Sequence, residues 1–192
     1  MSKEIVSVTV PGKLKYCHFI SDASELLFKS KIKFYSEELY NNFIQDMRIV
    51  MYELFSNSVT HSKSEKIIVC LEVDDNFLNV IIKTKSVGFG IKQIDLFTPG
   101  SSDHPITFPP YPEEFIGNQY VLYRDYENEV FCTVNNQFDV SLINKKNIYH
   151  RSKEADIPEH YGLNLITKLV HQTKYFRDES GIDNFVITKQ IR

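Results

Sequence analysis

The sequence predicts an α+β fold, a two-layer sandwich in which helices cover one face of a mixed, mostly antiparallel β-sheet. Three observations support this class. A long helical segment runs from near Ser36 to about His61, two β-rich runs joined by a hairpin turn follow it, and a second helical segment from Gly162 precedes a final strand. Strands joined by short turns pair antiparallel, and helices segregated from them pack on one face. With 42% hydrophobic residues, the 192-residue chain suits a single domain over residues 1–192.

The first elements predicted are a strand and a short helix. Residues 5–10 alternate apolar and polar side chains and end at Pro11, as a strand does before a turn. Ser21 and Asp22 are residue types that cap helices, so we expect a short helix to begin there. Its apolar residues are Leu26, Leu27 and Phe28.

The long helix carries the most informative stretch of the chain. Glu53, Asn57 and His61 recur at four-residue steps and therefore form one polar stripe along a helix face. The stripe borders an apolar side of the helix, where polar groups are costly unless they find partners. Taken alone, this pattern fits a solvated helix edge as well as a ligand site.

The remaining regular elements flank the middle of the chain. Lys66–Val73 and Phe77–Thr84 are rich in β-forming residues and are separated by a short polar turn, which predicts a hairpin. Residues 162–174 show helical periodicity, and residues 184–191 follow a turn and form a predicted last strand. The helix and the strand complete the sandwich.

Glycines at the ends of two predicted elements permit close approach of the backbone to a ligand. Ser86, Gly88 and Gly90 directly follow the second hairpin strand. Gly162 opens the last helix, where free backbone N–H groups and the helix dipole favour an anion such as phosphate. Each feature alone is more often an ordinary turn or helix start.

The middle of the chain, about residues 98–160, is predicted to be an insert. Five of the seven prolines lie within residues 98–112, which excludes a regular helix or a central strand there. Three β-like runs follow, which we expect to form an ordered β-meander that docks on the domain or extends its sheet edge. These runs are Gln119–Arg124, 129–134 and 138–143. The loops near residues 101–112 and 145–159 are expected to be mobile.

Composition excludes several function classes. A net charge of −3 with scattered basic residues leaves no footprint for nucleic acid or for an anionic membrane. No run approaches the ~20 apolar residues that cross a bilayer, and the N-terminus lacks an apolar signal core, so we expect a cytoplasmic protein. Three widely spaced cysteines and six histidines without metal-binding spacing argue against disulfides and zinc.

Taken in order, these features resemble the gyrase, histidine-kinase and MutL (GHKL) ATPase superfamily, and most closely its bacterial anti-sigma-factor serine kinases. Three motifs carry the resemblance: an E-x-x-x-N-x-x-x-H box, the glycines of a D-x-G-x-G box and the end of a G-x-G-L box. In this sequence they are Glu53, Asn57 and His61, then Gly88 and Gly90, then Gly162 and Leu163. The resemblance implies the histidine-kinase-like (Bergerat) ATPase fold, with the insert in the lid position.

The resemblance also implies roles for these residues. Asn57 would hold Mg²⁺ and Glu53 would activate the nucleophile, while ATP would be bound by the residues Asn57, Ser86, Gly88, Gly90, Gly162 and Leu163. The implied function is regulation of transcription. An anti-sigma factor of this kind sequesters a sigma factor and phosphorylates a serine on an antagonist protein. Its partners are proteins rather than nucleic acid or membrane, and the resemblance is compatible with a homodimer.

Two departures from the family leave two hypotheses. Ser86 stands where the family has the adenine-binding Asp, which would weaken nucleotide binding about 10- to 100-fold. Replacing Ser86 with Asp should then recover roughly 1–2 kcal/mol of binding. His160 stands where the G-x-G-L box has its first glycine. The chain is therefore either an ATP-dependent serine/threonine kinase with weakened nucleotide binding or a pseudo-kinase that binds proteins without catalysis.

Overall fold

The computed structural model of the protein describes residues 4–74, 76–92, 106–147 and 161–191. Within these ranges the chain forms an α+β fold with one large sheet and three helices. The strands are β1 (Glu4–Pro11), β2 (Lys66–Val73), β3 (Phe77–Thr84), β4 (Ile91–Lys92), β5 (Ile106–Thr107), β6 (Gln119–Arg124), β7 (Asn128–Asn136), β8 (Asp139–Lys146), β9 (Gln172–Arg177) and β10 (Asp183–Gln190). The helices are α1 (Cys17–Lys31), α2 (Glu37–Ser62) and α3 (Tyr161–Leu169).

The main sheet has eight strands in the order β1-β2-β3-β10-β9-β8-β7-β6. Every pairing among the described residues is antiparallel, so the predicted α+β class is confirmed and the predicted parallel component is not seen in these parts of the chain. β4 and β5 form a separate two-stranded sheet. The predicted hairpin of β2 and β3 is present at its predicted bounds.

The three helices lie on one face of the main sheet. α2 packs between α1 and α3, and the buried side chains of all three helices join the same hydrophobic core as alternate residues of the strands. In β2, for example, Ile67, Val69 and Leu71 face this core, since side chains alternate across a strand. As predicted, α2 begins after Ser36, whose hydroxyl accepts a hydrogen bond from the backbone N–H of Leu39.

The predicted start of the first helix was wrong. α1 begins at Cys17, so Ser21 and Asp22 lie inside the helix instead of capping it. Both residues bond α2: the Ser21 hydroxyl donates to the Arg48 carbonyl, and the Asp22 carboxylate accepts from the Arg48 guanidinium. Their polar side chains therefore serve helix–helix packing.

The predicted end of the last helix was also wrong. α3 stops at Leu169, and Gln172–Arg177 forms strand β9 beside β10. The backbone N–H of His171 already donates to the carbonyl of Thr188, so the β ladder takes over within two residues. Thr173 and Tyr175 are buried as alternate residues of this strand.

The predicted β-meander exists and extends the main sheet. β6, β7 and β8 pair in series, and β8 pairs with β9 along its other edge. Residues 106–112 are described and include the short strand β5. The rest of the two loops that were predicted to be mobile lies mostly outside the described residues, as does His160.

Candidate functional site

A cavity of about 720 Å³ lies between α2, α3 and the ends of β3, β9 and β10. It brings together most of the residues singled out in the sequence, although they come from three distant segments. Those that line it are Asn57, His61, Ser86, Gly88, Gly90, Gly162 and Leu163. Glu53 is half-buried and lies one helical turn from Asn57, but it is not part of the lining.

Glu53 and Asn57 lie directly against the start of α3. A Cβ added to Gly162 would come within 2.5 Å of the Glu53 Oε2 atom and 3.2 Å of the Asn57 Nδ2 atom. Glycine at position 162 therefore permits the contact between the two helices. No hydrogen bond joins either polar side chain to another described residue, and both side chains lie beside the first turn of α3.

Ser86 is joined to a buried carboxylate that sequence analysis missed. Its hydroxyl donates to the Asp183 Oδ2 atom at 2.5 Å, and its backbone N–H donates to the same oxygen at 3.1 Å. The Ser86 Oγ atom also accepts a hydrogen bond from the backbone N–H of Gly88 at 3.0 Å. A hydroxyl has two lone pairs, so one remains on Ser86 as an acceptor at the cavity wall.

The other Asp183 oxygen is also fully engaged. Oδ1 accepts from the Tyr175 hydroxyl at 2.6 Å and from the Arg177 Nε atom at 2.8 Å. The side-chain hydrogen bond to Asp183 raises the pKa of Arg177, and burial followed by the Asp183 hydrogen bond raises the pKa of Tyr175. With four donors on its two oxygens, the carboxylate has no remaining capacity for a ligand.

A later segment of the chain, residues 106–109, covers the α-carbons of Gly88 and Gly90, so these α-carbons do not face the cavity. Gly88 has a φ of +108°, and an added Cβ would meet the Pro109 ring at 2.5 Å. A Cβ on Gly90 would meet the Ile106 side chain at 2.5 Å. The contacts that require glycine at these two positions are thus made by the protein's own chain, and the predicted close approach to a ligand stays a prediction.

Tyr111 anchors the segment, residues 106–109, that covers Gly88 and Gly90. Its side chain is fully buried, and its hydroxyl donates to the carbonyl of Phe89 at 2.6 Å. Its backbone N–H donates to the carbonyl of Gln137, in the turn between β7 and β8, at 2.8 Å. Burial raises the pKa of Tyr111, so its hydroxyl keeps the proton that it donates. One residue thus links the cavity rim to the extension of the sheet.

An aromatic group forms one wall of the cavity. The ring of Phe89 lies 5.6 Å from that of Tyr175 and 6.3 Å from that of Phe185, measured between centroids. Apolar side chains of α2 and α3 close the cavity opposite, including Leu54, Leu163 and Ile166. A flat apolar ligand could stack on this wall while its polar edge meets Ser86.

Asp183 and Arg177 had no recognisable signal in the sequence. Asp183 lies just after the predicted turn at residues 179–181, which Asp178 precedes, and nothing local distinguishes a buried carboxylate from an exposed one. Ser86 and Asp183 are 97 positions apart in the chain and meet only because β3 pairs with β10. The alternation of β9 was visible in the sequence and would have placed Tyr175 on the core face.

No protein-family model matches the chain, and no curated protein matches it. Among the described residues, no group of three or more His, Cys, Asp and Glu side chains is placed to hold a metal ion. A search of the same residues finds no helix with the length and apolar character needed to cross a membrane.

Proposed function

We propose that the protein is a GHKL-type ATP-binding regulator, as the resemblance implies, in which the cavity holds Mg·ATP. The observation that carries this proposal is the meeting of all three motif segments at one cavity. Asn57, Ser86 and Gly162 lie far apart in sequence, yet all three line it. Helices on one face of the sheet, with a cavity between them, support the Bergerat fold that the resemblance implies.

Ser86 and Asp183 together would replace the family's adenine-binding Asp. The Ser86 hydroxyl donates its hydrogen bond to a carboxylate, which increases the partial negative charge on the Ser86 oxygen. The free lone pair can then accept a hydrogen bond from the exocyclic amino group of adenine, while the ring stacks near Phe89 and Phe185. The loss of affinity expected from Ser86 alone is thereby reduced.

The phosphate end would be formed by α2 and α3. Mg²⁺ usually keeps several waters and binds through one or two protein oxygens together with substrate phosphates. The Asn57 side chain suits that role without an all-protein cage, and the N–H groups of the first turn of α3 face the same region. Glu53, held beside Gly162, would orient or deprotonate the hydroxyl that attacks the γ-phosphate.

The biological role follows from the same resemblance. The protein would phosphorylate a serine on an antagonist protein and sequester a sigma factor in a cytoplasmic regulatory circuit. The alternative is a pseudo-kinase that binds proteins without catalysis. The covering of Gly88 and Gly90 by residues 106–109 favours this alternative, since it narrows the room for a moving phosphate lid.

Calorimetry with Mg·ATP tests the nucleotide site. We expect weak binding that requires Mg²⁺, and a loss of about tenfold or more in Asn57→Ala. Asn42→Ala is the matched control, because Asn42 lies exposed on the same helix. Mg·ITP, which has a keto group in place of the adenine amino group, should bind more weakly than Mg·ATP. If millimolar nucleotide gives no heat, the ATP-binding proposal fails.

Product analysis separates the two roles. If the protein is a kinase, Mg·ATP should be converted to ADP in the presence of its protein substrate, and Glu53→Gln should abolish conversion while leaving nucleotide affinity unchanged. Nucleotide binding without turnover would support the binding module instead.

A further inference from the structure

Helix α3 is short, and both of its ends contact other elements. It has nine residues, too few for a helix that is stable by itself, so its position depends on tertiary contacts. At its C-terminal end, the Lys189 Nζ atom donates to the carbonyl of Leu169 at 2.6 Å and to the Asp46 Oδ2 atom at 2.7 Å. These bonds tie that end to β10 and α2. The first turn, beside the cavity, contacts the meander of β6, β7 and β8 instead.

Polar side chains join α3 to β8 within the core. Asn144 continues the core-facing row of β8 after Val140 and Leu142, because alternate residues of a strand share a face. Its Nδ2 atom donates to the Asn164 Oδ1 atom at 2.8 Å and to the Thr167 Oγ1 atom at 3.2 Å. Asn164 and Thr167 are both buried. Buried polar groups are costly without partners, so this cluster is a specific contact and not incidental packing.

Tyr123 of β6 contacts the same turn of α3. Its ring centroid lies 6.1 Å from that of Tyr161, the first residue of the helix. Its hydroxyl donates to the Asp125 Oδ2 atom at 2.6 Å, and two backbone N–H groups of the β6–β7 turn bond the other oxygen of Asp125. Burial and the hydrogen bond to Asp125 raise the pKa of Tyr123, while a side-chain hydrogen bond with Asn164 acts in the opposite direction. Tyr123 thus contacts two residues in the first turn of α3.

The direction of these hydrogen bonds fixes one position of α3. Apolar packing is non-directional, and cores that rely on it alone lose uniqueness before they lose stability. A buried, hydrogen-bonded Asn can instead set the register of packed elements. A helix rises by about 1.5 Å per residue, so a shift of α3 by one residue along its axis would break the 2.8 Å bond between Asn144 and Asn164. The N–H groups of the first turn therefore have a defined position beside the cavity.

The three residues that hold this turn do not line the cavity. Gly162 and Leu163 do line it, whereas Asn164, the next residue, bonds the meander. We propose that Asn144, Asn164 and Tyr123 are positioning residues for the phosphate end of the cavity, which they set by fixing the first turn of α3 on the meander. The identity of the ligand as a nucleoside triphosphate rests on the proposed function. The meander is then a fixed support of the phosphate site, in the part of the chain where the resemblance implies a lid.

This role determines which ligands should be affected. Backbone N–H groups that are already fixed lose no further freedom when a phosphate binds, so a looser first turn weakens phosphate binding. The proposed adenine contacts, at Ser86 and Phe89, belong to other segments and do not depend on this turn. Loss of positioning should therefore lower the affinity for Mg·ATP and leave the affinity for adenosine, which has no phosphate, unchanged.

The double variant Asn144→Leu/Asn164→Leu tests the direction of the contact. Replacing both partners by apolar groups of similar shape leaves no unpaired amide and can be nearly neutral for stability, but the directional bond is lost. Calorimetry should show Mg·ATP bound roughly 3- to 10-fold more weakly, and NMR titration should show adenosine bound as in the wild type. Asn135→Leu is the matched control, because Asn135 bonds Asp139 and Ser141 within the meander and should leave both affinities unchanged.

Tyr123→Phe is the milder variant, which decides the question if the double variant does not fold. It keeps the ring contact with Tyr161 and removes only the hydroxyl, so Mg·ATP should bind roughly 2- to 5-fold more weakly, again without an effect on adenosine. Tyr120→Phe is its control, since the Tyr120 ring lies on the same strand and stacks on Phe115. Circular dichroism confirms that each variant is folded.

Hydrogen exchange without nucleotide measures the position of α3 directly. The N–H groups of Leu165 and Ile166 bond the carbonyls of Tyr161 and Gly162 in a regular helix, so their exchange reports the first turn. They should exchange at least about threefold faster in the double variant, while the amides of α2 keep their rates. Unchanged exchange, unchanged Mg·ATP affinity, or an equal loss of Mg·ATP and adenosine binding would overturn the inference.

A failure of the proposed function has a different signature. If the wild-type chain gives no heat with Mg·ATP, the ATP-binding proposal fails, and the role at a phosphate site fails with it. Faster exchange at Leu165 and Ile166 in the double variant would even then support the meander as the element that holds α3.

Discussion

Ser86→Asp is the substitution on which the sequence and the structure disagree most sharply. From the sequence alone it should restore the family's adenine contact and strengthen nucleotide binding. In the structure, the Ser86 hydroxyl lies 2.5 Å from the Asp183 carboxylate, which is almost completely buried. A second carboxylate would lie directly against the first. We therefore expect the variant to destabilise the fold and not to improve ATP binding.

The magnitude follows from the local charges. Two like charges about 4 Å apart repel by about 4 kcal/mol at an effective dielectric constant of 20. Arg177 already bonds Asp183 at 2.8 Å and offsets part of this repulsion, and the pair can retain one proton. We expect the free energy of unfolding to fall by roughly 2–4 kcal/mol at pH 8. The loss should shrink toward pH 5, because protonation of one carboxyl removes the repulsion.

Urea unfolding at the two pH values measures this effect. Ser86→Asn is the matched control, since it has the size of the Asp variant without its charge. In a double-mutant cycle, Asp183→Asn should restore part of the stability lost in Ser86→Asp, although Asp183→Asn alone is destabilising because Arg177 loses its partner. A Ser86→Asp variant that is as stable as Ser86→Asn at pH 8 would refute the reasoning.

Two further predictions concern the helix contact and the buried thiol. Gly162→Ala should change the free energy of unfolding by less than about 1 kcal/mol, because the atom it displaces is the end of the flexible Glu53 side chain, but it should weaken Mg·ATP binding in calorimetry. Unchanged affinity would argue against the phosphate end proposed here. Burial raises the pKa of Cys132 from 9.0 to about 12. Since the unfolded chain loses this proton first, the free energy of unfolding should fall as the pH rises from 9 to 12, and Cys132→Ala should reduce that slope.

Local sequence patterns were sufficient to predict most of the fold. α2 and the β2–β3 hairpin follow directly from a capping serine, helical periodicity and a polar turn. The boundary between α3 and β9 was missed because the apolar periodicity of the helix continues to Val170, one residue beyond α3, and no helix-breaking residue follows. There the ladder bond from His171 to Thr188, a long-range interaction, decides the structure. Extension of the sheet edge by the meander was expected, but without β9 the strand to which the meander attaches could not be predicted.

The candidate site, too, could be predicted only in part from the sequence. Its motif residues were visible because each lies within or next to a regular element that the sequence predicts. The partner of Ser86 was not visible, because β-sheet register brings Asp183 to it from the far end of the chain. Ser86 in place of the family's Asp looked like the loss of a carboxylate, but Asp183 supplies a carboxylate to the same place from another segment. A single sequence gives no means of connecting the two.

The position of Tyr111 has a consequence for how the domain opens. Its hydroxyl bonds the carbonyl of Phe89 and its backbone N–H bonds the carbonyl of Gln137, so Tyr111 links the segment at Phe89 to the β7–β8 turn. Neither of these two segments can move away from the protein without breaking a contact that the other makes. The cavity rim and the β7–β8 turn should then exchange their amide hydrogens as one cooperative unit rather than as two independent loops. A partner that stabilised the outer turn would slow opening of the rim, although it would not touch the cavity.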